Sequence, residues 1–286
     1  MDRQTHSKVE TDKPIFKKAV VAAAFSPRLT AVLNEAHRIL RLLGAWPIIV
    51  HVGEEKPTTR IRLEEAIDQS NFHDHPPICI VQDGAPADVL INVAKQYDAD
   101  LIIAGALAKE GLFKYYLGSV ARSIARYAPC SVLLFTEPQA KPRLIERIQC
   151  AVEYREDSKK AVNVAACFAN YLESSTLYFT HSFTSSEIKE EKQQQINSDI
   201  IRTIYQNEDS KLKKFISESG ITDDRYVTRC LYDQSLSTTL DFTRETNVDL
   251  FIITGPKDPF SLWNRIFPQD LELALQHLPS DLLLIR

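Results

Sequence analysis

The stretch "KKAVVAAAFSPRLTAVLNEAHRILRLLGAWPIIVHV", residues 17–52, occurs a second time in altered form as "ERIQCAVEYREDSKKAVNVAACFANYLESSTLYFTHS", residues 146–182. Each version is a short apolar run, a turn with Ser or Pro, an amphipathic helix and a second apolar run that ends beside His51 or His181. Apolar residues recur three and four positions apart in both helices, which is the spacing of one helix face. The pattern predicts two copies of one structural unit.

The repeat continues downstream. "VQDGAPADVLINVAKQYDADLIIAG", residues 81–105, aligns with "LYDQSLSTTLDFTRETNVDLFIITG", residues 231–255, and "APCSVLLF" aligns with "LPSDLLLI". Short continuous apolar runs alternate with helical patterns, and such runs are typical of parallel strands that helices cover on both faces. The strands predicted in the first copy are Ala19–Ala23, Ile48–Val52, Ile78–Val81, Leu101–Ala104 and Val132–Phe135.

We therefore predict an α/β fold of two tandem Rossmann-like (doubly wound) domains, each a five-stranded parallel sheet flanked by helices. The domains should cover residues 15–136 and 145–286, joined by the proline-containing linker 136–143. The second copy carries an extra, mostly polar segment at about 186–216. Its isoleucine and leucine residues recur every four or eight positions, which predicts a long amphipathic helix that packs on the sheet rather than on a membrane.

Composition narrows the classes of function. The 286 residues carry a net charge of −4 with both signs mixed, so no basic surface for nucleic acid is expected. The five cysteines are an odd number without a CxxC pair, which indicates reduced, buried thiols rather than a disulfide framework. The polar first residues and the absence of an apolar run near ~18 residues predict no signal peptide and no membrane span. We expect a soluble, cytoplasmic protein.

The candidate binding site is the stretch "GALAKEGLFKYYLGSV", residues 105–120, between the fourth strand and the fourth helix. Ligands of doubly wound sheets bind at the carboxyl ends of the strands. Gly105 and Gly118 would let backbone approach a ligand, the helix start with Ser119 would attract phosphate, and Lys109 would add positive charge. The alternative is a plain strand-to-helix loop in which Ser119 caps the helix.

Taken together, these patterns resemble the universal stress protein family, specifically its tandem, two-domain members. Nucleotide-binding members carry Gly-x2-Gly-x9-Gly-Ser/Thr, and this chain has Gly105-x2-Ala108-x9-Gly118-Ser119. The resemblance implies binding of ATP or a related adenine nucleotide, with Val52 at the adenine. The implied contacts are Val52, Gly105, Ala108, Lys109, Gly118, Ser119 and Val120. The aspartate that the family places after its first strand is Ala24 here, so weak binding is expected.

The second copy is expected to bind no nucleotide. Gly255 matches the first glycine, but Asp258, Pro268 and Gln269 replace the remaining loop residues, and proline removes a backbone donor. In the resembled family the fifth strands pair across a dimer. "SVLLF" and "DLLLI" are therefore expected to pair within this chain as a pseudo-dimer, because an unpaired apolar edge promotes aggregation. A homodimer of the whole chain stays open.

No catalytic set of side chains stands out, so we expect a non-enzymatic protein. His51 and His181 are interpreted as hydrogen-bonded strand-end residues, and "HDH" (73–75) as a solvated loop rather than a metal site. Two classes of function remain. One is a stress-response protein that responds to adenine nucleotide in its first domain. The other is a ligand-free scaffold or adaptor whose protein partners the sequence does not identify.

Overall fold

The computed structural model describes residues 15–105, 118–172, 175–186, 188, 198–221, 225–233, 235–255 and 278–286. In the first half the elements are β1 (Lys18–Ala22), α1 (Leu29–Leu43), β2 (Trp46–Val52), α2 (Pro57–Asp68), β3 (Ile78–Gln82), α3 (Pro86–Gln96), β4 (Leu101–Gly105), α4 (Ser119–Tyr127) and β5 (Ser131–Phe135). In the second half they are β6 (Arg147–Ala151), α5 (Ser158–Tyr171), β7 (Thr176–Phe183), α6 (Ser198–Glu218), β8 (Tyr226–Tyr232), α7 (Leu236–Glu245), β9 (Leu250–Thr254) and β10 (Asp281–Ile285).

The described strands form one ten-stranded sheet in the order β3-β2-β1-β4-β5-β10-β9-β6-β7-β8. Neighbouring strands are parallel except β5 and β10, which run antiparallel with Leu133 opposite Leu283. The predicted doubly wound α/β fold is confirmed, and "SVLLF" pairs with "DLLLI" as expected. Because an antiparallel central pair joins two parallel halves of the same strand order, the halves are arranged as a pseudo-dimer. The domain boundaries 15–136 and 145–286 stay a prediction.

Each face of the sheet carries an apolar core that includes residues of both halves. One core contains buried residues of α1, α2, α5 and α6, together with Leu133 and Leu283. The other contains buried residues of α3, α4 and α7, together with Val132 and Leu282. Side chains alternate between the faces of a strand, so β5 and β10 contribute to both cores.

At both ends of the β5–β10 pair, a side-chain oxygen accepts a hydrogen bond from a backbone amide of the neighbouring strand end. The Thr136 amide and hydroxyl donate to Asp281 Oδ1 at 2.8 and 3.0 Å. At the other end, the Arg286 amide donates to Ser131 Oγ at 3.2 Å. These positions are equivalent in the two copies, because Asp281 and Ser131 each begin a fifth strand while Arg286 and Thr136 each follow one.

Only part of the apolar stripe predicted for helix α6 is buried. The helix runs from Ser198 to Glu218 and packs against β8, where Leu212 and Ile216 are fully buried. Ile200, which belongs to the same predicted apolar stripe, is 40% exposed. The predicted helix starts near residue 186, and residues 189–197, which would connect that start to Ser198, lie outside the described residues.

Candidate functional site

The carboxyl ends of three neighbouring strands meet at one edge of the first half. β1 has β2 on one side and β4 on the other, all parallel, so the chain order switches at β1. This is where doubly wound sheets bind ligands. Val52 ends β2, Gly105 ends β4, and Ala24 follows β1 with an exposed side chain.

The start of α4 provides backbone donors at this edge. Gly118 occupies the N-cap position with φ −60° and ψ 162°, and Ser119 is the first helical residue and is exposed. The expectation that Ser119 is the N-cap residue is therefore wrong, whereas the plain strand-to-helix loop stays an alternative. The first turn of α4 contains no acidic residue. Amide groups of a first helical turn have no partner inside the helix, and they attract anions.

Val52 and Val120 provide the apolar part of the edge. Both are partly buried and pack against the core on the α3–α4 face of the sheet. The structure thus places Val52, Gly105, Gly118, Ser119 and Val120 at or beside the strand ends. The other two predicted contact residues, Ala108 and Lys109, lie outside the described residues.

Gly105 has a packing role that its sequence pattern does not reveal. A Cβ atom added there would lie 2.9 Å from Val32 Cγ2 of α1. The absence of a side chain therefore lets α1 pack closely on the end of β4. This contact explains the glycine without a ligand, so Gly105 alone is weak evidence for a binding site.

The strand-end histidines are confirmed as hydrogen-bonded residues in both halves. His51 Nδ1 lies 2.7 Å from Ala23 O, and His181 Nδ1 lies 2.8 Å from Val152 O. Each imidazole stacks on the aromatic residue that follows the first strand of its half, His51 on Phe25 and His181 on Tyr154.

The guanidinium of Arg62 lies 4.2 Å from the centroid of the Phe25 ring. This places a positive charge of α2 near the first-half edge. Sequence reasoning missed it, because spacing along α2 does not show which side chain reaches β1. Glu54 and Glu55, which follow β2, are paired with Lys56 and Arg60.

At the equivalent edge of the second half, the polar side chains bond to neighbours within the same half. Glu153, in the position of Ala24, forms an ion pair of 2.8 Å with Arg155, which also contacts Asp157 at 3.0 Å. Ser182 replaces Val52, and its hydroxyl lies 3.0 Å from Thr239 Oγ1. The one acid retained in this half is thus already paired.

The strand register corrects one alignment. Gly105 lies opposite Phe135 in β5, and the residue opposite Ile285 in β10 is Thr254. Thr254, and not Gly255, therefore occupies the position of Gly105. The same offset is already present in β8, because Leu231 lies opposite Ser182 as Gln82 lies opposite Val52. The predicted replacements Asp258, Pro268 and Gln269 lie outside the described residues.

The "HDH" segment belongs to a surface cluster with α1. Asp74 Oδ1 lies 3.2 Å from His37 Nε2, and Asp74 also contacts Arg41. Burial and the charge of Arg41 lower the pKa of His37, and burial lowers the pKa of His75. Asp74 is therefore an ion-pair partner of α1 rather than a freely solvated loop residue. Within the described ranges, no group of three or more His, Cys, Asp and Glu residues has the arrangement of a metal site.

All five cysteines are free thiols. Burial raises the pKa of Cys130 to about 12 and that of Cys230 to about 11, and it also raises the pKa of Cys79. These thiols are therefore protonated at neutral pH and are poor nucleophiles. None of the helices in the described part of the chain combines the length and the apolar character that crossing a membrane requires.

Comparisons with known proteins find similarity to one family. The family model of the universal stress protein family matches residues 54–136. A universal stress protein of Methanocaldococcus jannaschii is 28% identical over 97 residues, 34% of this chain and 55% of the relative. One from Synechocystis sp. is 30% identical over 84 residues, 29% of this chain and 54% of the relative. The chain thus spans about half the length of these curated relatives.

Solved structures match the whole architecture. A candidate universal stress protein from Pseudomonas aeruginosa superimposes with a TM-score of 0.71 at 15% identity, over 94% of this chain and 93% of that one. A universal stress protein from Archaeoglobus fulgidus gives a TM-score of 0.59 at 13% identity, over 93% and 98%. At these identities the likeness shows the fold alone.

The strand order defines a doubly wound α/β protein, and the strand ends of its first half form the candidate ligand site. The resemblance seen in the sequence is supported by the family model over residues 54–136 and by the curated relatives, which are universal stress proteins.

Proposed function

We propose that this chain is a tandem universal stress protein that binds ATP or a related adenine nucleotide weakly, and in its first half only. The domains are 15–136 and 145–286. The observation that carries the proposal is the asymmetry between the two strand edges. At the first edge the start of α4 carries no acidic residue and Val52 is apolar. At the second edge Glu153 is in an ion pair and the Ser182 hydroxyl is hydrogen-bonded.

In this proposal the ligand's phosphates bind the amide groups at Gly118 and Ser119 together with the Ser119 hydroxyl. Val52 and Val120 contact the adenine, and Ala108 and Lys109 complete the loop. The guanidinium of Arg62 adds positive charge near the same edge. Ala24 offers no carboxylate, and its absence removes a charged hydrogen bond typically worth about 1.5–3 kcal/mol. That loss is the reason to expect weak binding.

We further propose that the protein is not an enzyme and acts in the cytoplasm. Phosphoryl transfer requires a metal, which a placed carboxylate usually holds, and an aligned nucleophile. The expected carboxylate position is Ala24, and the acids Glu54 and Glu55 are already in ion pairs. The free thiols are consistent with a reducing compartment.

Titration calorimetry with ATP tests the proposal. Wild type should bind one nucleotide per chain. Ser119→Pro should weaken binding by roughly tenfold or more, because it removes a backbone donor and the hydroxyl. Proline is well tolerated at the first position of a helix, so α4 should survive the change. Ser119→Ala is the matched control that removes only the hydroxyl, and it should have a smaller effect.

Two equal sites per chain, or unchanged affinity in Ser119→Pro, would contradict the assignment. Ala24→Asp should tighten binding, because it restores the acid that the family carries there. A wild-type protein that binds no adenine nucleotide would favour the ligand-free adaptor. ATP hydrolysis that Ser119→Pro abolishes would contradict the non-enzymatic role.

A further inference from the structure

Arg286 follows β10, and its side chain reaches a helix of the first half across the seam, which is the antiparallel β5–β10 pair that joins the halves. Arg286 Nη2 lies 2.5 Å from Ala125 O and 3.4 Å from Arg126 O, and Nη1 lies 3.2 Å from Cys130 O. Ala125 and Arg126 belong to the last turn of α4, the helix whose first turn forms the candidate phosphate site. The second half thus contacts the opposite end of the site helix.

These contacts have the chemistry of a C-terminal cap. The last four carbonyls of a helix have no partner within it. In α4 the Ile124 carbonyl accepts from the Ala128 amide at 2.9 Å, and the next two carbonyls accept from Arg286. A cation at this end also interacts favourably with the helix dipole. Burial lowers the pKa of Arg286 to about 10, so the guanidinium stays charged at neutral pH.

Both halves hold Arg286 in place. Its amide donates to Ser131 Oγ of β5 at 3.2 Å, and its backbone oxygen accepts a hydrogen bond from Lys160 Nζ of α5. The side chain therefore starts from a fixed backbone position. A cap that is fixed in this way orders the helix end with little loss of side-chain freedom.

We infer that Arg286 is a positioning residue for the candidate nucleotide site, because capping the last turn of α4 orders the whole helix, including its first turn at Ser119. α4 has nine residues. Helices shorter than about 12 residues are marginal alone, so loosening one end is felt at the other. The consequence for ligand binding rests on the proposed function, whereas the ordering of α4 does not.

Amide hydrogen exchange measured by NMR tests the ordering without any ligand. The Ala128 amide, bonded to Ile124 O, reports the last turn, and the Arg122 amide, bonded to Gly118 O at 3.0 Å, reports the first. Arg286→Gln should speed exchange of both amides by roughly tenfold. Arg286→Lys, which keeps the charge, should fall between wild type and Arg286→Gln.

The matched control is Asp281→Ala. It removes the acceptor for Thr136 at the other end of the same strand pair. Under native conditions, where these amides exchange by local opening rather than by global unfolding, both should stay within about twofold of wild type. The inference is overturned if Arg286→Gln changes neither amide or only Ala128. It is equally overturned if Asp281→Ala changes both amides as much, since that would indicate general loosening of the seam.

The functional readout is ATP affinity at a temperature where circular dichroism shows each variant to be folded. Arg286→Gln should raise Kd by roughly threefold or more while Asp281→Ala leaves it unchanged. Equal Kd values in wild type and Arg286→Gln would overturn the link to the site. If wild type binds no ATP, the proposed function fails, and the exchange of Ala128 and Arg122 still decides whether Arg286 orders α4.

Discussion

Gly105 and Val32 form a complementary pair at the strand-end edge. The copies align with Thr254 in the place of Gly105 and Ala161 in the place of Val32. The first half therefore combines no side chain on the strand with valine on the helix, and the second combines threonine with alanine. Thr254 uses its hydroxyl to donate to Ser158 at 3.3 Å. The space between this strand end and the helix is thus occupied by the helix side chain in the first half and by the strand side chain in the second.

Gly105→Ala should lower the free energy of unfolding by roughly 1–3 kcal/mol. The new Cβ would lie 2.9 Å from Val32 Cγ2, and a buried β-branched side chain cannot rotate away easily. In Gly105→Ala/Val32→Ala the clash is gone, so urea unfolding of the single and double variants should show favourable coupling of about 1 kcal/mol. Strict additivity of the two substitutions would show that the residues do not press on each other.

Among the elements, the strands were predictable because each is a continuous apolar run. The structure places their ends within one or two residues of the predicted ones, for example Lys18–Ala22 against Ala19–Ala23. The pairing of β5 with β10 was also predictable, since an exposed apolar edge strand is unfavourable.

Other features depend on contacts between distant residues, which periodicity does not encode. Arg62 reaches Phe25 from a different element. Asp100 accepts hydrogen bonds from the Lys17 and Lys18 amides, and Asp249 does the same for Glu146 and Arg147. The packing role of Gly105 was missed for the same reason, because its neighbour Val32 is far away in the chain.

Helix α6 shows that an apolar stripe predicts a face but not how deeply it is buried. Leu212→Ala should reduce the free energy of unfolding by roughly 2–5 kcal/mol, because Leu212 is fully buried. Ile200→Ala, on the same helix and 40% exposed, should cost less than about 1 kcal/mol. Chemical denaturation of both variants measures the difference. Equal losses would mean that the first turns of α6 are packed as tightly as the last.

At the scale of the whole molecule, the two halves share one sheet and two cores that both cross the β5–β10 seam. A change at the seam should therefore act on the stability of the entire chain rather than on one half. Asp281 is the titratable group at one end of this seam. Burial raises its pKa to about 6, although the two hydrogen bonds from Thr136 oppose the shift.

The raised pKa determines the sign of a pH effect. An unfolded aspartate has a pKa near 3.9, so the folded chain binds the additional proton between about pH 4 and 6. Stability contributed by this group is therefore present at low pH, falls as pH rises through that window and stays lower above it. Asp281→Asn keeps an oxygen acceptor for Thr136 but cannot ionise. It should be more stable than wild type at pH 7.5, by roughly 2 kcal/mol, and similar to it near pH 4.

Urea unfolding between pH 4 and 7.5 measures this difference. Thr136→Val is the matched control, because it removes the hydroxyl that bonds Asp281 but keeps the carboxylate, so its profile should retain the wild-type fall with pH. Parallel profiles for wild type and Asp281→Asn would show that Asp281 is already ionised at low pH in the folded chain. A flat profile in Asp281→Asn would identify this one carboxylate as a major source of the pH dependence of the joined halves.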